Sequence, residues 1–207
     1  MPPRKQPPPR AWQRMLSGRR LDLLNPSPLD IELDDIAHGL ARVARWNGQT
    51  TGDHAFCVAQ HSLLVERIAS ELRVELSDRW RLAALLHDAP EYVVGDLITP
   101  FKAAIGLDYR ELEDRLLRAV YIRFGLPGEL PKNITALIKR ADKIAAFLEA
   151  TQLAGFSGPE ARRFFTAPRG IPERALREIS RIKPLAPPRA QELFVARFQT
   201  LSGEISG

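Results

Sequence analysis

Side chains of the metal-binding type stand on the apolar faces of three separate helical segments, and this constrains the fold more than any other feature. One segment runs from about 54 to 73, where Cys57, His61, Leu64, Val65, Ile68 and Leu72 recur at offsets of three, four and seven. That is the stripe an amphipathic helix buries, and His54 lies two turns earlier on it. A second segment, about 78 to 89, places His87 and Asp88 after Leu82, Leu85 and Leu86. A third, about 131 to 153, has Ile134, Leu137, Ile138, Ala141, Ala145 and Leu148 on its apolar face and Asp142 on the inner flank. An inward histidine has a plain explanation as a hydrogen-bonded core residue, and an inward aspartate as a cap or an ion-pair partner. Burying a lone carboxylate costs several kcal/mol or drives it neutral. Four such groups from three helices are another matter, because one divalent cation offsets all the burial costs together.

The rest of the chain also reads as helix. Residues 29 to 44 form a first helix with Asp30, Asp34 and Asp35 near its start, followed by the turn-rich loop "NGQTTGD". Asp53 is the expected N-cap of the 54–73 helix, and Ser77 or Asp78 that of the 78–89 helix. Pro90 cannot continue that helix but suits the first turn of a short new one ending near Gly95. Further helices are expected over 108–124, closed by Gly125 and Pro127, and over about 172–182 and 187–202. No period-two alternation and no internal repeat appears. The expectation is an all-α, single-domain bundle, and 207 residues suit one domain with a substantial core.

The net charge of +5 suggests a nucleic-acid partner until it is located. Residues 1–20 hold six basic side chains and no acid, so the remainder of the chain is within one unit of neutral. A nucleic-acid partner is therefore not expected. The segment "MPPRKQPPPR" has five prolines in ten residues, which excludes a helix or packed strand there. We expect residues 1–20 to form a disordered basic leader and residues 21–207 the folded domain. The Arg19-Arg20 pair is not an export signal, since Asp22 and Asn25 interrupt the apolar run that such a signal requires. No apolar run approaches the roughly 20 residues of a membrane helix. A single cysteine, Cys57, excludes internal disulfides and thiolate zinc clusters. A cytoplasmic protein without membrane contact is expected.

His61, the His87-Asp88 pair and Asp142 in "IKRADKIAAFLEA" match the H…HD…D order of the HD-domain metal-dependent phosphohydrolases, which the chain resembles. Within that family "VAQHSLLV", "LLHDAPEYVVGDLITPFK" and "ARW" at 44–46 look like the bacterial 5′-deoxynucleotidase branch and its phage-related nucleotide hydrolases. The similarity covers roughly residues 29–155. The chain departs from the pattern at Gln60, where an acid is expected before the histidine, and in its proline-rich leader.

The resemblance implies that His61, His87, Asp88 and Asp142 hold a divalent metal. Two imidazoles and two carboxylates suit Co²⁺, Mn²⁺, Zn²⁺, Ni²⁺ or Fe²⁺ and leave a position open for water and a phosphate oxygen. Glu91 would be the general base, or would share a second cation such as Mg²⁺ with Asp96. Asp96 would otherwise meet a sugar hydroxyl, or simply serve as the N-cap of the next segment. Arg45 would fork onto the phosphate. Trp46 would pack against a base or sugar, or else anchor its loop to the core. Lys102 is a further phosphate candidate, and His54 and Glu149 flank the site by helical spacing. Lys139, Arg140 and Lys143 would serve a longer phosphate chain or form a solvated face.

The first functional expectation is hydrolysis of deoxynucleoside 5′-monophosphates to nucleoside and phosphate. The second is removal of triphosphate from deoxynucleoside triphosphates, and the third a non-catalytic nucleotide- or nucleic-acid-binding HD protein. A small-molecule nucleotide is the expected substrate. A homo-oligomer joined through "LEDRLLRAVYIRF" competes with burial of that face in the core.

Overall fold

A computed structural model of the chain describes residues 11–96 and 107–203. Among the described residues the fold is all-α apart from one small hairpin, in which β1 (Trp12–Arg14) pairs antiparallel with β2 (Arg20–Asp22). The hairpin corrects the expectation of a leader disordered through residue 20. Residues 11–20 are held because Gly18 turns the chain at φ 90° and Ser17 donates to the buried Asp35 through its amide (2.9 Å) and hydroxyl (2.6 Å). Arg19 pairs with Glu32 at 2.8 Å, and Leu21 is fully buried. Residues 1–10, which contain the five prolines, lie outside the described residues.

The helices are α1 (Leu33–Leu40), α2 (Val58–Leu72), α3 (Asp78–Leu85), α4 (Glu91–Val94), α5 (Leu107–Arg123), α6 (Lys132–Gln152), α7 (Gly158–Phe164), α8 (Glu173–Ile179) and α9 (Pro187–Gly203). Helix α2 packs most extensively on α6 and α3, while α9 covers α1, α2 and α3. The core between them is filled by Ile68, Leu82, Leu85, Ile134, Ile138, Ile144 and Phe194, among others. Glu66 ties α2, α3 and α9 together, accepting from Arg81 Nε at 2.8 Å and Arg197 Nε at 2.9 Å. Among the described residues no helix is long and apolar enough to cross a membrane. Leu116, Ala119, Val120 and Tyr121 of α5 are buried in the chain's own core.

Three helix boundaries and one whole helix differ from expectation for identifiable reasons. The 29–44 helix is broken into a 3₁₀ turn at Pro28–Asp30 and α1, because Ile31 is extended (φ −101°, ψ 124°). The 54–73 helix starts later, at Val58. An antiparallel bridge between Ala44 and Cys57, with Arg45 N donating to Phe56 O (2.8 Å) and Val58 N to Val43 O (3.0 Å), keeps residues 56–57 extended. The 78–89 helix stops at Leu85, and residues 86–90 form tight turns ahead of Pro90. Helix α7 was not expected; its Ser157–Glu160 capping box stabilises a short helix that Gly158 and Pro159 disguise. Gly39 of α1 sits against α4, where an added Cβ would lie 2.7 Å from Cβ of Tyr92. Helix α4, which begins with Glu91, therefore rests directly on the α1 backbone.

Candidate metal centre

His61 lies in the first turn of α2 and is fully buried. Its Nδ1 is 2.6 Å from Glu149 Oε1, and its Nε2 faces Asp88 Oδ2 and Asp142 Oδ1, each at 3.3 Å. His87 and Asp88 stand in the turn between α3 and α4. His87 Nδ1 is 2.9 Å from Ala84 O, and its Nε2 is 3.2 Å from Asp88 Oδ2. The two imidazole centroids are 5.3 Å apart. Each Nδ1 therefore meets an acceptor, so that in the neutral ring the proton sits on Nδ1 and the lone pair on Nε2. Both Nε2 atoms are buried and make no hydrogen bond.

Two atoms that each lie about 2.0–2.2 Å from a shared ion, at tetrahedral or octahedral angles, are about 3.0–3.5 Å apart. The 3.2 and 3.3 Å separations fall in that range. Ligand atoms of His61, His87 and Asp88 all lie within 4.8 Å of one another, and Asp142 joins through His61. The side chains open to solvent in order, from 0% at His61 through 10% at His87 and 24% at Asp88 to 38% at Asp142. A ligand would therefore enter from the carboxylate side.

Glu149, expected only to flank the site, is the hub behind it. Besides His61, it accepts from Trp46 Nε1 at 2.9 Å and faces Arg45 Nη2 at 3.4 Å. Arg45 also faces Asp96, at 3.3 Å. Trp46 adopts a left-handed backbone (φ 57°, ψ 29°), as does Asn47. That conformation is uncommon without glycine. It is held by the indole N–H bond and by contact with Phe156 and Phe165, at centroid distances of 5.9 and 5.6 Å. These contacts tie the Trp46 side chain to Glu149, Phe156 and Phe165.

The Gln60 side chain turns away from the His61 ring. Its amide donates to Lys183 O and accepts from Leu185 N, both at 3.0 Å, so Glu149 supplies the partner expected from position 60. His54 is exposed in the loop before α2, which corrects its placement on the helical stripe. Glu91 is buried at the start of α4 and lines a cavity of about 150 Å³ with His87 and Asp88. Lys102 lies outside the described residues. Arg140 turns away to Arg169 O at 2.8 Å, and Lys143 is exposed. Lys139 and Asp142 line a larger cavity beside His87.

The HD domain profile matches residues 58–146, a span that contains all four expected metal ligands. The chain is 60% identical over 198 residues to an uncharacterized protein of Rhodobacter capsulatus, covering 96% of this chain and 99% of that one. It is 30% identical over 173 residues to the uncharacterized protein YfdR of Escherichia coli, covering 84% of this chain and 85% of that one. The chain belongs to the HD-domain family of metal-dependent phosphohydrolases. The matched span stops short of Glu149 and begins after Arg45 and Trp46, so the hub behind His61 lies outside the conventional HD segment.

The donor set of this HD domain fits a divalent cation. Two lone-pair nitrogens, fixed by their Nδ1 partners, face two carboxylates whose mutual repulsion a cation would relieve. Burial would raise the Asp88 carboxyl, but His87 and His61 hold it well below its usual range. Burial and Arg45 both favour a neutral His61, yet Glu149, Asp142 and Asp88 outweigh them and hold the metal-free imidazole well above its ordinary pKa. A cation must then displace a proton from His61. Divalent-ion affinity should rise with pH through neutrality, by up to about tenfold per pH unit. Titration calorimetry with Mn²⁺ at about pH 6 and about pH 8 reads this; a flat profile would mean that His61 is not a ligand.

Proposed function

We propose that this HD-domain protein hydrolyses deoxynucleotides, with deoxynucleoside 5′-monophosphates as substrates and nucleoside and phosphate as products. The observation that carries the reading is the convergence of two imidazole Nε2 atoms and two carboxylates beside a buried glutamate. Its nucleotide specificity rests on the resemblance of the "ARW" and "HDAPEYVVGDLITP" stretches to the 5′-deoxynucleotidase branch. His61, His87, Asp88 and Asp142 would hold Co²⁺, Mn²⁺, Zn²⁺, Ni²⁺ or Fe²⁺. When bound, such an ion polarises the phosphoryl group and makes a neighbouring water more acidic.

The chain's own groups do the rest. The Glu91 carboxylate takes a proton from the attacking water, whose oxygen forms the new bond to phosphorus. The bond to the 5′ oxygen breaks, and the proton returns to that oxygen as the nucleoside leaves. Arg45 stands close enough to contribute positive charge. Its contacts to Asp96 and Glu149, at 3.3 and 3.4 Å, are longer than the roughly 2.8 Å of a tight charged pair. It is thus loosely enough held to turn one edge of its fork to a phosphate. Asp96, beside it, would meet a sugar hydroxyl or share a second cation with Glu91. Lys139, which makes no ion pair among the described residues, favours a second reading in which a deoxynucleoside triphosphate is cleaved to nucleoside and triphosphate.

The test is an assay of the metal-stripped protein reloaded with each ion, against deoxynucleoside mono- and triphosphates, with product identification. Inorganic phosphate and nucleoside from the monophosphates are expected. Triphosphate as product would replace this reading with the second, and no turnover of either would refute both. Glu91→Gln should keep its metal and lose about 10²- to 10⁴-fold in turnover. Equal loss of metal would make Glu91 a ligand instead.

A further inference from the structure

A cleft of about 590 Å³ lies between α5 and α6 and reaches His87 and Asp142 at one end. That volume is in the range of small-molecule sites, and a phosphate group would occupy a small part of it. On α6, Thr135, Ile138, Lys139 and Asp142 stand at offsets of three, four and seven, so one helix face carries both a metal-site carboxylate and the cleft wall. Facing them are Leu117 of α5 and Leu130 of the connecting loop. The inner wall is therefore mostly apolar, with Asp114 and Arg115 of α5 and Thr135 and Lys139 of α6 exposed at its rim.

Trp46 and Arg45 are not part of this cleft; both reach the site through Glu149, on the Nδ1 edge of His61. The hydroxyl of Tyr121, another lining residue, is already committed to Ala83 O at 3.3 Å. Arg118 at the outer end is paired with Glu129 at 3.2 Å. What remains is a slot whose deep surface suits a flat, weakly polar ring and not a chain of phosphates, which would leave Leu117, Leu130 and Ile138 against charge.

We propose that this cleft holds the nucleoside part of the substrate, with Leu117, Leu130 and Ile138 packing on the base and Thr135 setting the width of the entrance. The inference rests on the phosphohydrolase reading above and adds to it where the base goes. In this arrangement the phosphate lies over His87 and Asp142, and the base points away from Trp46.

The test compares deoxynucleoside 5′-monophosphates with 2-deoxyribose 5-phosphate, which differ by the base alone. Thr135→Trp narrows the entrance at an exposed position, and Leu117→Gln makes the wall polar. With metal content and Tm unchanged, Thr135→Trp should lower kcat/KM for the monophosphates by about tenfold or more and leave 2-deoxyribose 5-phosphate within about twofold. An equal loss on both substrates, or no loss on the nucleotides, overturns the proposal. Calorimetry of free deoxynucleosides with the metal-free protein reads the cleft independently of turnover. Binding that Thr135→Trp and Leu117→Gln both weaken supports the proposal even if the wild-type protein hydrolyses neither ester, whereas binding that neither variant changes refutes it.

Discussion

Asp88→Ala is expected to leave a folded protein that retains no divalent ion through gel filtration and hydrolyses no phosphate ester. Asp88 Oδ2 faces both ring nitrogens, His61 Nε2 at 3.3 Å and His87 Nε2 at 3.2 Å, and so joins the two imidazoles into one donor set. Without it, His61 keeps Asp142 while His87 keeps no carboxylate that the structure places against its Nε2. The loss should exceed the 10- to 100-fold in metal affinity that a missing outer-shell partner costs. Stability changes as well. Bound metal stabilises the fold by about 4 kcal/mol when its free concentration is a thousand times Kd, and the variant should lose all of that increment. Metal analysis by plasma spectrometry, with melting in the presence and absence of chelator, reads both effects. The wild-type Tm should fall on chelation and the variant's should not move. Stoichiometric metal in Asp88→Ala would show that the ion sits elsewhere.

The candidate metal cluster was legible in the sequence because its residues are ones whose burial is otherwise unfavourable. His61, His87, Asp88 and Asp142 each interrupt, flank or end an apolar stripe, and that placement sets them on one side of the core. The helix starts were less legible. Residues 54–57 carry the helical offsets of α2, yet the backbone pairing of Ala44 with Cys57 holds residues 56–57 extended and leaves His54 in the loop before them, and no local propensity reports a pairing across thirteen residues. His54 was misplaced for that reason. The short α7 shows the opposite case: "SGPE" is a capping-box signature, obscured by the Gly and Pro inside it. The hairpin at residues 11–22 was obscured by its proline-rich neighbour, although Ser17 and Asp35 fasten it through two hydrogen bonds. Glu149 was the most consequential partial reading. Helical spacing places it one face-turn beyond Asp142 and Ala145, but an inward glutamate has many possible partners. Only the fold brings Arg45 and Trp46, from a loop 103 residues earlier, onto the oxygen opposite His61.

Glu149→Ala should therefore damage both the fold and the metal site, although Glu149 holds no place in the donor set itself. Its carboxylate is fully buried and serves His61 Nδ1, Trp46 Nε1 and the Arg45 guanidinium at once. Burial alone would raise its pKa, but the charges of His61 and Arg45 hold it down to about 2, from 4.5. A depressed carboxyl contributes stability that is complete above its unfolded value and fades as pH falls toward its folded one. The contribution of Glu149 is thus present above about pH 4.5 and lost toward about pH 2. Removing the carboxylate strands a buried guanidinium beside Asp96 alone, a change of the kind that costs about 3–5 kcal/mol. It also frees the His61 ring to turn or change tautomer, so metal affinity should drop by about 10- to 100-fold. Glu149→Gln separates the two consequences. The amide oxygen can still accept from His61 Nδ1, so metal affinity should largely recover, while the charge that balanced Arg45 is gone and urea denaturation should still report a large loss. If Glu149→Gln is as weak in metal binding as Glu149→Ala, charge rather than orientation is what His61 needs. If neither variant changes metal affinity, the hub behind His61 serves packing alone.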